Sequence, residues 1–234
     1  MIENLDVVGL ALWLVAFLLS STCHEAAHAL AAKVGGDETA YRAGQVTLNP
    51  LPHIVREPFG MVVVPLMSYV WAGWMIGWAS APYDPLWAER HPRRAALMAL
   101  AGPAANFALA ALAVTGLRIM LATGNAVTPE RAGLDQLVLM ASGAAAPVAL
   151  ARLLSILASL NVLLGVFNLV PLPPLDGAAA VEGLGGPLVR RGMDAIRRMP
   201  FAGLIGILVA WQVFAFAAPY LFRTLIVLVH GARL

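Results

Sequence analysis

The sequence predicts an all-α polytopic membrane protein of about four to six transmembrane helices, with a small membrane-associated β-hairpin after the first helix. Two bulk properties and one pattern support this. Of 234 residues, 60% are hydrophobic and 12% charged, against roughly 25% charged in an ordinary soluble domain, and mean hydropathy is +0.79. Charge-free stretches run from Val7 to Cys23, Pro58 to Tyr83, Ala95 to Leu117, Leu153 to Leu175 and Met199 to Phe222, several reaching the ~20 apolar residues that span a bilayer.

The acidic start, with Glu3 and Asp6, is unlike a cleaved signal peptide. Val7 to Val34 contains no proline and meets Gly35-Gly36, so it reads as one long helix with a glycine stop. Asp37 to Pro58 is polar and punctuated by Gly44, Pro50, Pro52 and Pro58. Within it Gln45-Val46-Thr47-Leu48 has the alternation of a short strand, with Gly60 to Val64 as its hairpin partner. Pro65 to Ser80, with Trp71, Trp74 and Trp78, is short for a span and is expected to dip in and return. Ala95 to Ala122 is a spanning helix, and Pro147 separates a partial segment from another at about 149–170. Ala178 to Met199 is an amphipathic stretch, and the final apolar segment from Pro200 contains Pro219. The chain is read as a single domain over 1–234, with a core over 7–177 and the amphipathic segment and last helix over 178–234. No PDZ or other soluble domain is expected.

Orientation follows from the arginines, since cytoplasmic loops collect basic residues. With Pro65 to Ser80 re-entrant, Lys33 to Glu57, Trp87 to Arg94 and Glu182 to Arg198 share one side, which should be cytoplasmic. Lys33 is the lone lysine among 15 basic residues, and with abundant alanine this suggests a high-GC bacterium and its inner membrane. A net charge of +2 is too small to imply nucleic acid, and Cys23, the single cysteine, has no partner for an internal disulfide.

His24-Glu25-Ala26-Ala27-His28 carries the chemistry. On a helix, i and i+4 imidazoles share one face one turn apart, which suits a zinc ion. Glu25, about 100° around the helix, can accept a proton from water. Ionisable groups inside an apolar helix are costly, so a functional role is the default. Catalytic zinc needs a third protein ligand. Asp176 stands apart from the other carboxylates: it closes a charge-free run, is stiffened by Pro171, Pro173 and Pro174, and is followed by Gly177. It could equally cap the helix that follows it, and Glu57 is the alternative ligand. Ala31 and Val34 stand where a metzincin would need glycine and histidine.

These residues resemble the site-2 protease family of intramembrane zinc metalloproteases. Besides His24-Glu25-x-x-His28, the resemblance includes Thr47-Leu48-Asn49-Pro50 with His53, Gly60 after Pro58-Phe59, Gly102-Pro103-x-x-Asn106, and Asn168 through Asp176-Gly177, in the family's order. It implies His24, His28 and Asp176 as zinc ligands and Glu25 as general base and acid. Asn168, Asn106 and His53 follow as candidate substrate or oxyanion residues. The hairpin resembles the family's membrane-inserted sheet, whose edge could pair with an unwound substrate. The sequence departs from the family at Val55-Arg56-Glu57, where related chains have Asp-Pro-Phe directly after His-Ile, and at Ser80, where lysine is common. The implied partners are a transmembrane protein substrate and the bilayer, with the oligomeric state left open. The competing readings are a membrane metal transporter, for which no paired repeat is found, and a non-catalytic membrane-helix-binding protein, for which Glu25 would be superfluous.

Overall fold

A computed structural model describes residues 6–231; Glu3 of the acidic start lies outside them. Among the described residues, four helices are long and apolar enough to cross a membrane: α1 (Val7–Gly35), α6 (Pro92–Ala122), α7 (Ala145–Asn168) and α10 (Ala202–His230). Between α1 and α6 lie α2 (Thr39–Arg42), α3 (Pro50–Arg56), a π-helical turn (Phe59–Val63), α4 (Val64–Ala72) and α5 (Pro85–Arg90). α8 (Asp176–Leu184) and α9 (Gly186–Arg197) join α7 to α10.

The first helix is built as its sequence dictates. The Asp6 carboxylate accepts from the Gly9 amide at its start. At its end Gly36 takes the left-handed conformation, φ 98°, which glycine adopts without steric cost. α1, α6 and α7 form the centre, with Trp13, Phe17, Leu117, Ile156 and Leu160 buried in one cluster. Along the α1–α6 seam Ala29, Ala32, Ala96, Ala99, Gly102 and Ala113 are buried. Such small residues let helix backbones approach closely where lipid gives no hydrophobic drive to association.

Interhelical bonds at both ends fix the topology. Arg94 Nη1 and Trp87 Nε1 both donate to the Gly35 carbonyl at 3.1 Å, so α6 begins at the end where α1 stops. A Cβ on Gly183 would meet the Pro92 carbonyl, which brings α8 to that same end. At the other end Arg152 at the start of α7 bridges Asp6 and Asp135, 2.8 Å each, and His230 closing α10 is bonded to the Leu137 carbonyl at 2.8 Å. Residues 36–91 therefore leave and return on one side. The apolar helical stretch within them, Phe59–Ala72, is too short to cross a hydrocarbon core of ~30 Å. The three basic segments share one end, as the charge distribution predicts.

The small antiparallel sheet is present, but elsewhere than expected. It pairs β1 (Ala126–Val127) with β2 (Leu139–Met140), between α6 and α7. The expected hairpin over 45–64 is helical in its second half. Asn49 caps α3 by accepting from the Leu51 amide with Pro50 at the first turn, and Phe59–Val63 runs directly into α4. Proline at a helix start and an uninterrupted apolar run outweigh the β-branching of Val62 to Val64.

Candidate metal centre

His24 and His28 project from the second half of α1, buried and stacked edge to face, ring centroids 4.5 Å apart and planes at 82°. Their Nε2 atoms are 2.9 Å apart. Asp176 Oδ2 lies 3.1 Å from Nε2 of His24 and 3.3 Å from Nε2 of His28. Helix one and the turn after α7 thus deliver three donor atoms to one point. Glu25, 5% exposed, adds a fourth group: ligand atoms of His24, Glu25 and His28 all lie within 4.8 Å of one another.

The approach of Asp176 depends on glycine at two places. A Cβ on Gly177 would strike the Leu169 and Val170 carbonyls, and one on Gly206 of α10 would strike the Pro173 carbonyl. The turn is thereby pressed between the end of α7 and the flank of α10.

The donor set fits a divalent cation. His28 Nδ1 faces the Met98 carbonyl at 2.7 Å, which only accepts, so Nδ1 carries a hydrogen, and in the neutral ring Nε2 then presents the lone pair that metal binding needs. Asp176 Oδ2 is buried without a hydrogen-bond partner despite its two close nitrogens. Lone pairs 3 Å apart with no hydrogen between them repel. A tetrahedral zinc ion at roughly 2.0–2.1 Å from each ligand would set such atoms about 3.3 Å apart, close to what is seen. On the facing helix a Cβ on Gly102 would overlap both Nε2 atoms, so glycine there keeps this space open.

Of the other expected site residues, Asn106 joins the cluster: its Oδ1 is 2.6 Å from His24 Nδ1. Asn168 does not; it donates to the Leu164 carbonyl of its own helix. His53 is buried in α3 against the Thr47 carbonyl, 3.1 Å away, and Glu57 accepts from Ser80 Oγ. Neither is hydrogen-bonded to the His24–Asp176 cluster. In place of Asn168, the asparagine linked to the site is Asn161, two turns earlier, which accepts from Asn106 Nδ2 at 2.7 Å and donates to Ser20 Oγ. The available signal was an amide and a hydroxyl inside charge-free spans, where each polar group needs a partner.

Comparison with known proteins decides the family. Residues 12–207 match Peptidase family M50. The chain belongs to peptidase family M50. As an M50 member it is 33% identical over 179 residues to YwhC of Bacillus subtilis, named for an inferred zinc metalloprotease activity, covering 76% of this chain and 71% of that one. It is also 29% identical over 212 residues to Rip2 of Mycolicibacterium smegmatis, named in the same way, covering 89% and 71%. No solved structure matches. The site-2 protease resemblance read from the motifs therefore holds at the level of the family.

Proposed function

We propose that this M50 protein is an intramembrane zinc metalloprotease that hydrolyses peptide bonds within transmembrane segments of membrane-protein substrates. The observation that carries the reading is the convergence of Asp176 Oδ2 on His24 Nε2 and His28 Nε2, with Glu25 beside them, the last three on a helix long enough to cross a bilayer. His24, His28 and Asp176 would hold the zinc, which when bound lowers the pKa of a water and polarises the scissile carbonyl.

Glu25 does the proton work. Its carboxylate accepts a proton from the attacking water and returns it to the departing amide nitrogen, so that water adds across the C–N bond and no acyl-enzyme forms. Burial of the site excludes bulk water, and a substrate helix must unwind locally because its carbonyls are otherwise hydrogen-bonded. His28 and His24 lie 7 and 11 residues before Gly35, so about 10–16 Å of helix separates them from the basic end. In a bacterial inner membrane that end faces the cytoplasm, and the site lies toward that side. A metal-transport reading gains no specific support from the geometry.

The test is Glu25→Gln in proteoliposomes with a substrate bearing a single transmembrane segment. Cleavage should fall below detection while bound zinc stays at the wild-type level. Cleavage at the wild-type rate would refute the assigned role of Glu25.

A further inference from the structure

We infer that Asn161 of α7, with Ser20 of α1, is a positioning device that dictates which ring nitrogen of His24 carries hydrogen, and so keeps His24 Nε2 free to bind metal. The inference rests on the zinc reading of the site and concerns residues that touch neither metal nor substrate.

The two histidines are oriented by different means. His28 Nδ1 faces a main-chain carbonyl, that of Met98, whose acceptor character is fixed. His24 Nδ1 faces the side-chain amide of Asn106. An amide can present either its oxygen or its NH2 group, so Asn106 alone decides nothing. Turned one way it accepts from His24 Nδ1–H; turned the other it would donate to Nδ1, move the ring hydrogen to Nε2 and block the metal-facing lone pair.

The next contacts remove the ambiguity. Ser20 Oγ lies 2.6 Å from the Ala16 carbonyl, and its single hydrogen is spent there. Toward Asn161 it must therefore accept. The terminal atom of Asn161 that faces Ser20 Oγ at 2.8 Å also faces the Leu157 carbonyl at 2.9 Å. Both neighbours accept, so that atom is the NH2 nitrogen, with both hydrogens in use. The other terminal atom, Oδ1, then accepts from Asn106 Nδ2 at 2.7 Å. Asn106 Oδ1 is left facing His24 Nδ1 at 2.6 Å, which must donate. Two main-chain carbonyls, those of Ala16 and Leu157, thus set the polarity of a chain across three helices that ends at His24. Ser20, Asn106 and Asn161 each have zero exposure, so no water can stand in for a reversed partner. Partners of this kind behind metal-binding histidines typically contribute about 10–100-fold in metal affinity.

The test uses the full-length chain in detergent micelles with 15N-labelled histidine, recording which nitrogen of His24 is protonated in the metal-free protein and the zinc affinity separately. Wild type should hold His24 in the Nδ1–H form. Asn161→Leu should populate the Nε2–H form and weaken zinc binding about 10–100-fold, leaving His28 unchanged. Asn161→Asp, neutral in this buried setting, would donate its one hydrogen to the Leu157 carbonyl while still accepting from Asn106, and should restore both the Nδ1–H form and near-wild-type affinity. A wild-type His24 ring and zinc affinity in Asn161→Leu, or no recovery in Asn161→Asp, would overturn the inference. Where Asn161→Leu does not fold, Asn161→Ala decides: a raised Nε2–H fraction supports the relay, and a wild-type spectrum overturns it. Failure of the wild-type protein to bind zinc would instead overturn the metalloprotease reading.

Discussion

Replacing Gly102 with alanine adds one methyl group to the wall of the site and little else. The new Cβ would overlap His28 Nε2 and stand 2.5 Å from Nε2 and 2.6 Å from Cε1 of His24, where carbon contacts settle at about 3.5–4.0 Å. The shortfall is about 1 Å, and neither side yields easily. The imidazoles are tethered through Nδ1 to Asn106 and the Met98 carbonyl, and α6 is held against α1 by small residues and by the Arg94 and Trp87 bonds to Gly35. Alanine favours a helical position over glycine by about 0.5–1 kcal/mol, which offsets part of an overpacking cost of about 1–3 kcal/mol. Net destabilisation should be on the order of 2 kcal/mol or less, whereas displacing reacting groups by 1 Å costs on the order of 100-fold in rate. Gly102→Ala should therefore fold, with Tm lowered by a few degrees, while kcat/KM for a transmembrane reporter falls about 100-fold and zinc affinity weakens. Cleavage within threefold of wild type at full zinc occupancy would show that Gly102 does not border a working metal centre.

Gly206→Ala should act from a distance, because its Cβ would strike the Pro173 carbonyl and push α10 off the turn that carries Asp176; zinc affinity should drop while Gly203→Ala on the same helix, with open space at its Cβ, leaves it unchanged in the same titration. Asp37, just beyond α1, is pushed up by burial but held below its usual range by donors from Thr39 and the Asp84 amide. A depressed folded-state pKa stabilises above the unfolded value, near 3.9 for aspartate, and that stabilisation disappears as pH falls through the folded value. The Tm gap between wild type and Asp37→Asn, followed by thermal scans, should thus be full at pH 6 and close below about pH 4; a constant gap would refute the assignment. Arg152→Met should destabilise by about 0.2–1 kcal/mol per pair, since it releases both Asp6 and Asp135, with cleavage by the folded fraction unchanged; an equal Tm would show that the clasp contributes nothing.

The four spans are legible in the sequence because lipid demands long charge-free runs, and their ends follow from Gly36 and from the basic segments around Lys33, Arg94 and Arg190, which share one end. Asp176 is legible because three prolines and Gly177 single it out. The hairpin expected over 45–64 shows where such signals stop: Val62 to Val64 has strand-like residues, yet Pro58 and the apolar run into α4 give a helix its start and its continuation. The real sheet has two residues per strand, too few for any alternation to register. Asn168 draws notice through its place in a motif, but its amide returns to its own helix. Asn161 carries no motif, and only the packing of α7 against α1 and α6 brings it to Asn106 and Ser20.

If His24, His28 and Asp176 bind one zinc ion together, metal analysis of purified wild type beside Asp176→Ala will show it. Wild type should hold one equivalent and Asp176→Ala only a small fraction of it, with both proteins folded. A full equivalent retained by the folded Asp176→Ala variant would contradict joint binding.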